Sequence, residues 1–430
     1  MRHFRLILAL ISLCFAANIF SGEKQMDSLV IKGIFFAGNE KTKDAVLYRE
    51  IKSHIGDTLS LELMEEDRKR IQNLRLFTRV EAQPMRTEDG VVLIYYVAER
   101  WYIFPYPILY HNEGNLKKIS YGVGFLHENF RGMNTSLSSS FWLGYNPGID
   151  FSYFNPWIFG NKQYFLKIGA SAKKVRNKSL LYDRFSERHY GLALTLGKRW
   201  GYHTYLSIGL GYRMLEVDDP YKEATATGTG SDRLPSVSMA FAYDTRDLHE
   251  YPKKGTYFLV SATKNTNLHN IDFNSFGVDI RRYLPIYKGL SFAGRTAVDL
   301  TTGGSPVYQN VYLGYGERIR GRWHETREGQ NRLLGNWELR FPLLKVRYLN
   351  FGNELAPVGP YGNNLPFGIS GALFFDTGTV WDHKLDRNAF ISGYGFGLNF
   401  HVPYFDLIRL EYALNPQRHS EIIFDFLVRF

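Results

Sequence analysis

The sequence lacks the features that would indicate a disulfide-bonded protein, a helical membrane protein or one of the common classes of enzyme. Its single cysteine is Cys14, near the amino terminus, so the rest of the chain holds no disulfide and no CxxC motif. After residue 20 there is no apolar run of about 18 residues, the length that a transmembrane helix needs. A phosphate-binding loop, histidines paired like metal ligands and a Ser–His arrangement are also lacking. We therefore expect neither an enzyme nor a protein that binds a cofactor or a metal.

The chain is basic, but its basic residues are dispersed. It has 52 Lys and Arg against 42 Asp and Glu, which gives a net charge of +10. No long basic run and no basic helix occurs, and this dispersion disfavours a nucleic-acid partner. Outer loops that face anionic lipopolysaccharide, or an anionic partner inside a pore, would explain the charge. A net charge without any partner explains it equally well.

The amino terminus is typical of a secretory signal. Arg2 and Arg5 precede an apolar stretch over residues 6–17. About a dozen apolar residues suit a signal peptide and are too few for a membrane span. We predict a signal peptide at residues 1–22, whose removal would also remove Cys14. Lipidation of Cys14 is the less favoured alternative, because a large residue precedes it.

Residues 27–99 differ in pattern from the rest and predict one small periplasmic domain. An apolar run at 29–36 predicts a strand, and two segments with apolar residues at helical spacing follow it. Two further strands are predicted at 77–84 and 91–97, joined by a turn at 88–90. The order β-α-α-β-β over about 70 residues is sufficient for one α+β domain.

Residues 100–430 are predicted to consist of strands and turns. At 421–430 apolar and largely polar positions alternate, so a strand there has one apolar face and one largely charged face. The same alternation recurs and predicts sixteen strands at 101–110, 118–127, 134–144, 148–155, 163–174, 186–198, 202–214, 235–243, 255–264, 271–284, 289–301, 331–342, 367–378, 391–402, 405–414 and 421–430. An even number of such strands is typical of outer-membrane barrels. The predicted fold class is all-β: a 16-stranded antiparallel transmembrane β-barrel preceded by one small βααββ domain.

The first and last predicted strands have to pair if the barrel is to close. Pro105 and Pro107 lie in the first strand and cannot donate hydrogen bonds to a neighbouring strand. The last strand contains Phe426 and ends on Phe430. The sequence therefore predicts a weak lateral seam between these two strands, at which an incoming strand could pair.

A charged turn follows the strand predicted at 235–243. With both ends of the barrel in the periplasm, Asp244, Arg246 and Asp247 fall on the periplasmic side. Aspartates commonly bond to their own backbone in turns, and this is the favoured interpretation. Contact with the periplasmic domain or with a client polypeptide is the alternative.

Six phrases carry a family resemblance. Those in the barrel are DTRDLHEYPKKGTYF (244–258), GERIRGRW (316–323), FFDTGTVW (374–381) and GYGFGLNFHVPYFDLIRLEYALN (393–415), and those in the small domain are IKGIFFAGNEKTKDAVLYREI and NLRLFTRVEAQ. In this order the barrel phrases resemble the BamA/TamA-like superfamily of outer-membrane assembly and translocation barrels, and the small domain resembles a POTRA domain. Assembly factors of that family usually carry several POTRA domains, whereas this sequence shows one.

The resemblance implies a non-enzymatic outer-membrane protein that inserts client β-barrels or translocates polypeptides. The partners that it implies are outer-membrane lipids, client polypeptides in extended or β-strand form, and possible periplasmic or lipoprotein partners. It implies no nucleic-acid partner. A barrel that transports solutes or lipids, and uses its POTRA-like domain only for docking, is the alternative. A membrane phospholipase is a third and less favoured one.

The resemblance also implies a contact between an outer loop and the barrel wall, here called the loop-to-wall latch. In the family the loop folds back into the barrel, where the arginine of an RG motif meets the aspartate of a DxG motif. The matching residues here are Arg320 and Gly321 in the loop, and Asp376 and Gly378 in the wall. The alternation itself places Asp376 on the inner face, and Gly378 is expected to make room for the loop backbone. Arg322 departs from the family, which commonly has an aromatic residue there.

Overall fold

The computed structural model describes residues 29–111, 118–267, 271–322, 325–350, 363–403 and 407–425. The predicted signal peptide, and Phe426 and Phe430 of the predicted seam, lie outside these residues. The described chain divides into two compact units, of which the first ends at Arg100 and the second begins at Trp101. No helix in the described ranges is long and apolar enough to cross a membrane.

The first unit is a small sheet with two helices. Its elements are β1 (Ile31–Ala37), α1 (Asp44–Tyr48), α2 (Leu61–Asn73), β2 (Phe77–Thr87) and β3 (Gly90–Glu99). The sheet has the order β1-β3-β2, with β1 parallel and β2 antiparallel to β3. The order of elements predicted from the sequence is confirmed.

A buried carboxylate in the middle of α2 fixes the loop that precedes this helix. The hydroxyl of Ser60 caps this helix by accepting a hydrogen bond from the backbone N–H of Leu63. One turn further on, Asp67 is fully buried. Its carboxylate accepts hydrogen bonds from the backbone N–H groups of Lys52 at 2.8 Å and Ser53 at 3.1 Å, and from the Ser53 hydroxyl at 2.6 Å. Asp67 thus fixes the loop between the two helices.

The second unit contains the predicted sheet. Its strands are β4 (Ile103–His111), β5 (Ile119–Phe130), β6 (Thr135–Gly144), β7 (Gly148–Ile158), β8 (Tyr164–Arg176), β9 (Ser186–Trp200), β10 (Thr204–Val217), β11 (Ser231–Asp244), β12 (Gly255–Thr266), β13 (Asp272–Tyr287), β14 (Leu290–Gly304), β15 (Val311–Leu313), β16 (Arg327–Gly329), β17 (Asn331–Leu349), β18 (Leu365–Trp381), β19 (Ile391–His401), β20 (Ile408–Leu414) and β21 (Ser420–Asp425). In the described residues, all but β15 and β16 form one 16-stranded sheet in which neighbours in sequence are neighbours in space. β15 and β16 form a separate hairpin within the β14–β17 connection. The predicted fold class is confirmed.

One strand is much longer than the sequence predicts. The prediction ended it at residue 342, whereas β17 continues to Leu349. Register shifts between Pro342 and Leu344, and again between Leu344 and Arg347, allow the ladder with β18 to continue past the proline.

The two faces of the sheet differ as the alternation predicts. On β18, Leu373 and Phe375 are 51% and 44% exposed. Phe374 and Asp376, one residue along in each case, are buried. One face is thus apolar and exposed, which suits lipid, and the inner face carries buried polar groups.

β4 and β21 are the two ends of this sheet. In the described residues β4 pairs with β5 alone and β21 with β20 alone, and no ladder joins β4 to β21. The pairing of the first strand with the last therefore stays a prediction.

Candidate functional site

The connection between β14 and β17 lies against the inner face of the sheet. Leu313 and Ile319 of this connection are almost completely buried. They pack against one residue from each of three strands, β14, β17 and β19, namely Ala297, Leu334 and Ile391. The loop therefore covers part of the inner face with its own side chains.

Arg320 lies next to this apolar contact and binds Asp376. Both residues are fully buried. The Nε and Nη2 groups of Arg320 each donate to one oxygen of the Asp376 carboxylate at 2.7 Å, and the backbone N–H of Arg320 donates to the same carboxylate at 3.2 Å. Two parallel charge-assisted hydrogen bonds give both strength and a defined orientation. The structure thus brings together the two residues that the sequence singled out.

The rest of the Arg320 guanidinium contacts two other strands. Its Nη1 group donates to Glu338 on β17 at 2.9 Å and to Glu411 on β20 at 2.7 Å. Its carbon Cζ lies over the ring of Phe374, 3.7 Å from the ring centroid, and the face of an aromatic ring attracts a cation. One loop side chain therefore contacts β17, β18 and β20 at the same time.

Two wall arginines complete a compact group of charges. Arg340 donates from Nε to Glu338 at 2.7 Å, and Arg409 donates from Nη1 to the same carboxylate at 3.2 Å. The lumen charge cluster is Arg320, Arg340, Arg409, Asp376, Glu338 and Glu411. Its three positive and three negative charges balance, and every member is at most 2% exposed. Such burial is tolerated only when the charges are paired in this way.

Glycines provide the space that the loop needs. A Cβ at Gly393 on β19 would lie 1.8 Å from the carbonyl oxygen of Arg320. Gly321 has a φ of +87°, and a Cβ there would lie 2.6 Å from the carbonyl oxygen of Leu414. The backbone of the loop thus approaches β19 and β20 more closely than any side chain at these positions would allow.

Gly378 of the latch and Arg322 lie in the same region. A Cβ at Gly378 would lie 2.9 Å from the Leu333 carbonyl oxygen, 3.2 Å from the Ile319 side chain and 3.4 Å from the Leu313 side chain, so two side chains of the loop pack against this glycine. That Gly378 makes room for the loop backbone stays a prediction. Arg322, where the family has an aromatic residue, donates to the carbonyl oxygen of Ser392 at 3.2 Å and to Glu325 at 2.7 Å. Arg322 therefore ties the loop to β19 by polar contacts.

In the charged turn between β11 and β12, the two aspartates bond to other groups of the same turn. Arg246 donates to Asp244 from Nε at 3.0 Å and from Nη2 at 2.7 Å. Asp247 accepts from the backbone N–H groups of Lys253 at 2.9 Å and Lys254 at 3.1 Å. Burial lowers the pKa of Arg246, but its bonds to the Asp244 carboxylate outweigh this and raise that pKa above the ordinary value. The two aspartates thus order the turn itself.

The same turn carries Tyr251 to the lumen charge cluster. Tyr251 is 6% exposed, although it lies in a connection between strands. Cζ of Arg340 is 4.8 Å from its ring centroid, and Nη1 of Arg340 donates to the carbonyl oxygen of Pro252 at 3.4 Å. The ring also contacts His401 on β19, with the ring centroids 4.8 Å apart. The outer loop and this turn therefore meet the cluster through two different arginines.

The prolines of β4 both face the open edge of the sheet. The backbone N–H of Glu128 donates to the carbonyl oxygen of Tyr102 at 2.8 Å, immediately before β4 begins. Hydrogen-bonded and non-hydrogen-bonded pairs alternate along an antiparallel ladder, so the register makes Pro105 and Pro107 non-hydrogen-bonded toward β5. Their nitrogens point away from β5, toward the edge on which no described strand lies.

Comparison with known families agrees with this geometry. Residues 129–426 match the model of the Omp85 superfamily domain, which covers more than half of the chain. The chain belongs to the Omp85 superfamily. Residues 29–100 match the POTRA model, described as a surface antigen variable number repeat. This Omp85 member is an integral outer-membrane protein whose POTRA domain lies in the periplasm.

Known relatives are similar over most of the chain. The outer membrane protein assembly factor BamA of Nitratidesulfovibrio vulgaris is 24% identical over 330 residues, which is 69% of this chain and 38% of that protein. The chain thus spans less than half the length of this relative. A crystal structure of Haemophilus ducreyi BamA without POTRA domains 1–3 has a TM-score of 0.55 and 17% identity, over 92% of this chain and 83% of that one. CdiB from Escherichia coli has a TM-score of 0.60 and 14% identity, over 94% and 75% of the two chains.

The sequence did not single out five residues that the site uses. Alternation within the predicted strands 331–342 and 405–414 puts Glu338, Arg340, Arg409 and Glu411 on the polar faces of those strands, but nothing in their spacing indicates that they meet. Tyr251 lies within a phrase that carries the resemblance, but its burial depends on the path of the turn. The available signal for the first four was that β17 and β20 each carry one acidic and one basic residue on the inner face.

Proposed function

We propose that this protein inserts client β-strands into the outer membrane, or passes polypeptides across it, without catalysing a reaction. The observation that carries the proposal is that Pro105 and Pro107 of β4, an end strand of the described sheet, turn their nitrogens away from β5 and offer no N–H group on that side. An edge that cannot form a full ladder is held weakly and can open to another strand. A client segment would then pair with an open edge by strand addition.

The loop-to-wall latch would keep the wall rigid while the seam moves. Arg320 contacts β17, β18 and β20, which are close to the seam but do not form it. Salt bridges with full burial and several strands as partners favour one defined arrangement of these strands. A loop packed on the inner face also favours a machine over an open solute pore, which is the alternative function.

The POTRA domain supplies a second surface for partners. Its three-stranded sheet has β1 and β2 as edges, and either can accept an extended segment. We propose that it binds clients or a periplasmic or lipoprotein partner. The relative in Nitratidesulfovibrio vulgaris is named as an assembly factor, and we propose the same activity for this chain.

Depletion of the protein followed by quantitative proteomics of the outer membrane tests the proposal. Loss of many β-barrel proteins is the result expected for an insertion machine. Loss of a single exported polypeptide supports dedicated translocation. An unchanged outer-membrane proteome with altered lipid or solute content would contradict the proposal and support the transport alternative.

A further inference from the structure

The outer connections of the second unit enclose a cavity of about 240 Å³, here called the outer-rim cavity. Its walls are the ends of β8, β9 and β10 together with the β8–β9, β10–β11 and β14–β17 connections. These connections lie on the outer side of the membrane, opposite to the β11–β12 turn. The volume equals that of about eight water molecules at about 30 Å³ each, so the cavity can hold a small ligand group.

The lining of the outer-rim cavity is strongly positive. Four basic side chains and one acidic side chain line it, namely Lys173, Arg176, Lys178, Arg213 and Glu187. The carboxylate of Glu187 lies 2.8 Å from Nε2 of His189. With His189 counted as neutral, the lining has an excess of three positive charges. The lumen charge cluster differs in this respect, because its three positive and three negative charges balance.

Three of the cations form no ion pair within the described ranges. Arg213 donates from Nη2 to the side-chain oxygen of Gln309 at 3.0 Å, which is an uncharged partner. Cζ of Arg176 lies 5.0 Å from the ring centroid of Tyr145. Lys173, on β8, is exposed and is not paired with any described carboxylate. A recess that is lined by one sign of charge concentrates ions of the opposite sign, so this cavity favours an anion.

The rest of the wall is largely aromatic. Tyr182, Phe185, Tyr308 and Tyr312 line the same cavity. The hydroxyl of Tyr308 donates to Asp232 at 2.6 Å, and that of Tyr312 donates to Glu328 at 3.2 Å. Both carboxylates lie outside the lining, and they hold the two rings in place. An apolar wall beside cations suits an anion that is attached to a carbon skeleton better than it suits a bare inorganic ion.

We propose that the outer-rim cavity binds a phosphate monoester that is carried by a sugar. A phosphate monoester has a charge of about −1.5 to −2 and three acceptor oxygens, whereas a carboxylate neutralises only one of the three excess charges. Arginine and lysine are the side chains that bind phosphate, and the sugar ring packs against the aromatic wall. Such a group occurs in the head groups of outer-leaflet glycolipids and in free sugar phosphates. The site does not depend on the function proposed above.

Isothermal titration calorimetry of the full-length protein in lipid nanodiscs, with glucose 6-phosphate as the probe, tests the site. Saturable binding to one site is expected, and glucose is the uncharged control. Arg213→Gln and Lys173→Gln are each expected to weaken binding about tenfold or more, because each removes a charge-assisted contact. Lys173 forms no ion pair in the described chain, so its variant tests the charge even if loss of Arg213 disturbs the loop at Gln309.

Lys174→Gln is the matched control for Lys173→Gln. Lys174 is the next residue of β8, it is exposed, and it does not line the cavity, because successive side chains of a strand point to opposite faces. Unchanged affinity in this variant is expected. Equal weakening by all three variants would show attraction by surface charge and overturn the site. Absence of saturable binding, or binding of glucose as tight as that of glucose 6-phosphate, would also overturn it.

Competition then identifies the source of the phosphate. Lipopolysaccharide incorporated into the nanodiscs is the competitor, and nanodiscs of phospholipid alone are the control. Displacement of glucose 6-phosphate by lipopolysaccharide supports a glycolipid head group as the ligand. Retained binding of glucose 6-phosphate supports a free sugar phosphate.

Discussion

The carbonyl oxygen of Arg320 occupies the space in which a side chain of Gly393 would stand, 1.8 Å from the ideal Cβ position. The loop and the wall are therefore complementary in backbone as well as in charge. Any side chain at residue 393 has to displace the loop, whatever its polarity. This relationship separates the effect of loop position from the effect of charge.

Gly393→Ala is expected to release the loop while leaving every charge of the cluster in the sequence. The expected result is faster trypsin cleavage of the β14–β17 connection from the outer surface of intact cells. Gly169→Ala on β8 is the matched control, because a Cβ there would meet only the Phe151 carbonyl oxygen at 3.9 Å. Equal protection of the loop in both variants would show that Gly393 does not position it.

Arg320→Lys is expected to destabilise the folded protein almost as much as Arg320→Ala. A lysine keeps the charge but cannot form the two parallel bonds to Asp376 together with those to Glu338 and Glu411. Loss of one partner from a buried ion pair destabilises a protein by about 3–5 kcal/mol. The measurement is the temperature at which the folded band is lost on heating before electrophoresis.

The control for Arg320 is Arg327→Ala in the same loop. Arg327 pairs with Glu325, and both side chains are about one-third exposed. Such a pair contributes about 0–1 kcal/mol, so the transition should stay close to that of the unsubstituted protein. A lysine at 320 that restores both loop protection and the transition would contradict the role assigned to the planar guanidinium.

Tyr251→Ala is expected to loosen the β11–β12 turn and the Arg340 side of the cluster. The ring packs against Arg340 and His401, and its cation–π contact alone contributes about 0.5–2 kcal/mol. Trypsin cleavage at Lys253 and Lys254 should therefore rise when the protease is admitted to the periplasm. Tyr287→Ala is the control, since Tyr287 is 66% exposed next to the following turn. Unchanged cleavage after Tyr251→Ala would show that the turn is held by Asp244 and Asp247 alone.

Asp67→Ala is expected to destabilise the POTRA domain without altering the barrel. The substitution leaves the backbone N–H groups of Lys52 and Ser53 and the Ser53 hydroxyl without their acceptor, at about 1–3 kcal/mol for each of the two buried Ser53 groups. Limited proteolysis of the full-length protein should then remove the first unit and leave the barrel intact. Glu65→Ala is the control, because Glu65 pairs with Arg68 at the surface and is 48% exposed. Equal proteolysis of the two variants would exclude a structural role for Asp67.

The sheet could be predicted because its signal is local. Alternation has a period of two residues, so each strand shows its faces within its own sequence, and sixteen strands were found in this way. The exception, β17, is informative, because bulges at Pro342 and Leu344 carry the ladder past a residue that normally ends it. A bulge depends on the partner strand and leaves little mark in the sequence.

The site could be predicted only in part, because pairing across strands is not local. Asp376 was placed inward by alternation, and its contact with Arg320 came from the family resemblance. Glu338 and Glu411 are separated by two whole strands, and only the register of the sheet brings both to the same guanidinium. Tyr251 was missed because the course of a turn across the inner face has no periodic signal.

The central claim, that the seam between β4 and β21 has to open, can be tested directly by locking it. Cys14 is the only cysteine, so pairs of cysteines introduced along residues 103–109 and 420–425 can be cross-linked without competition from another thiol outside the predicted signal peptide. Cells that depend on the cross-linked protein are expected to lose newly assembled outer-membrane proteins, and to recover them when a reducing agent breaks the disulfide. Undiminished assembly or export by the fully locked protein would contradict the account.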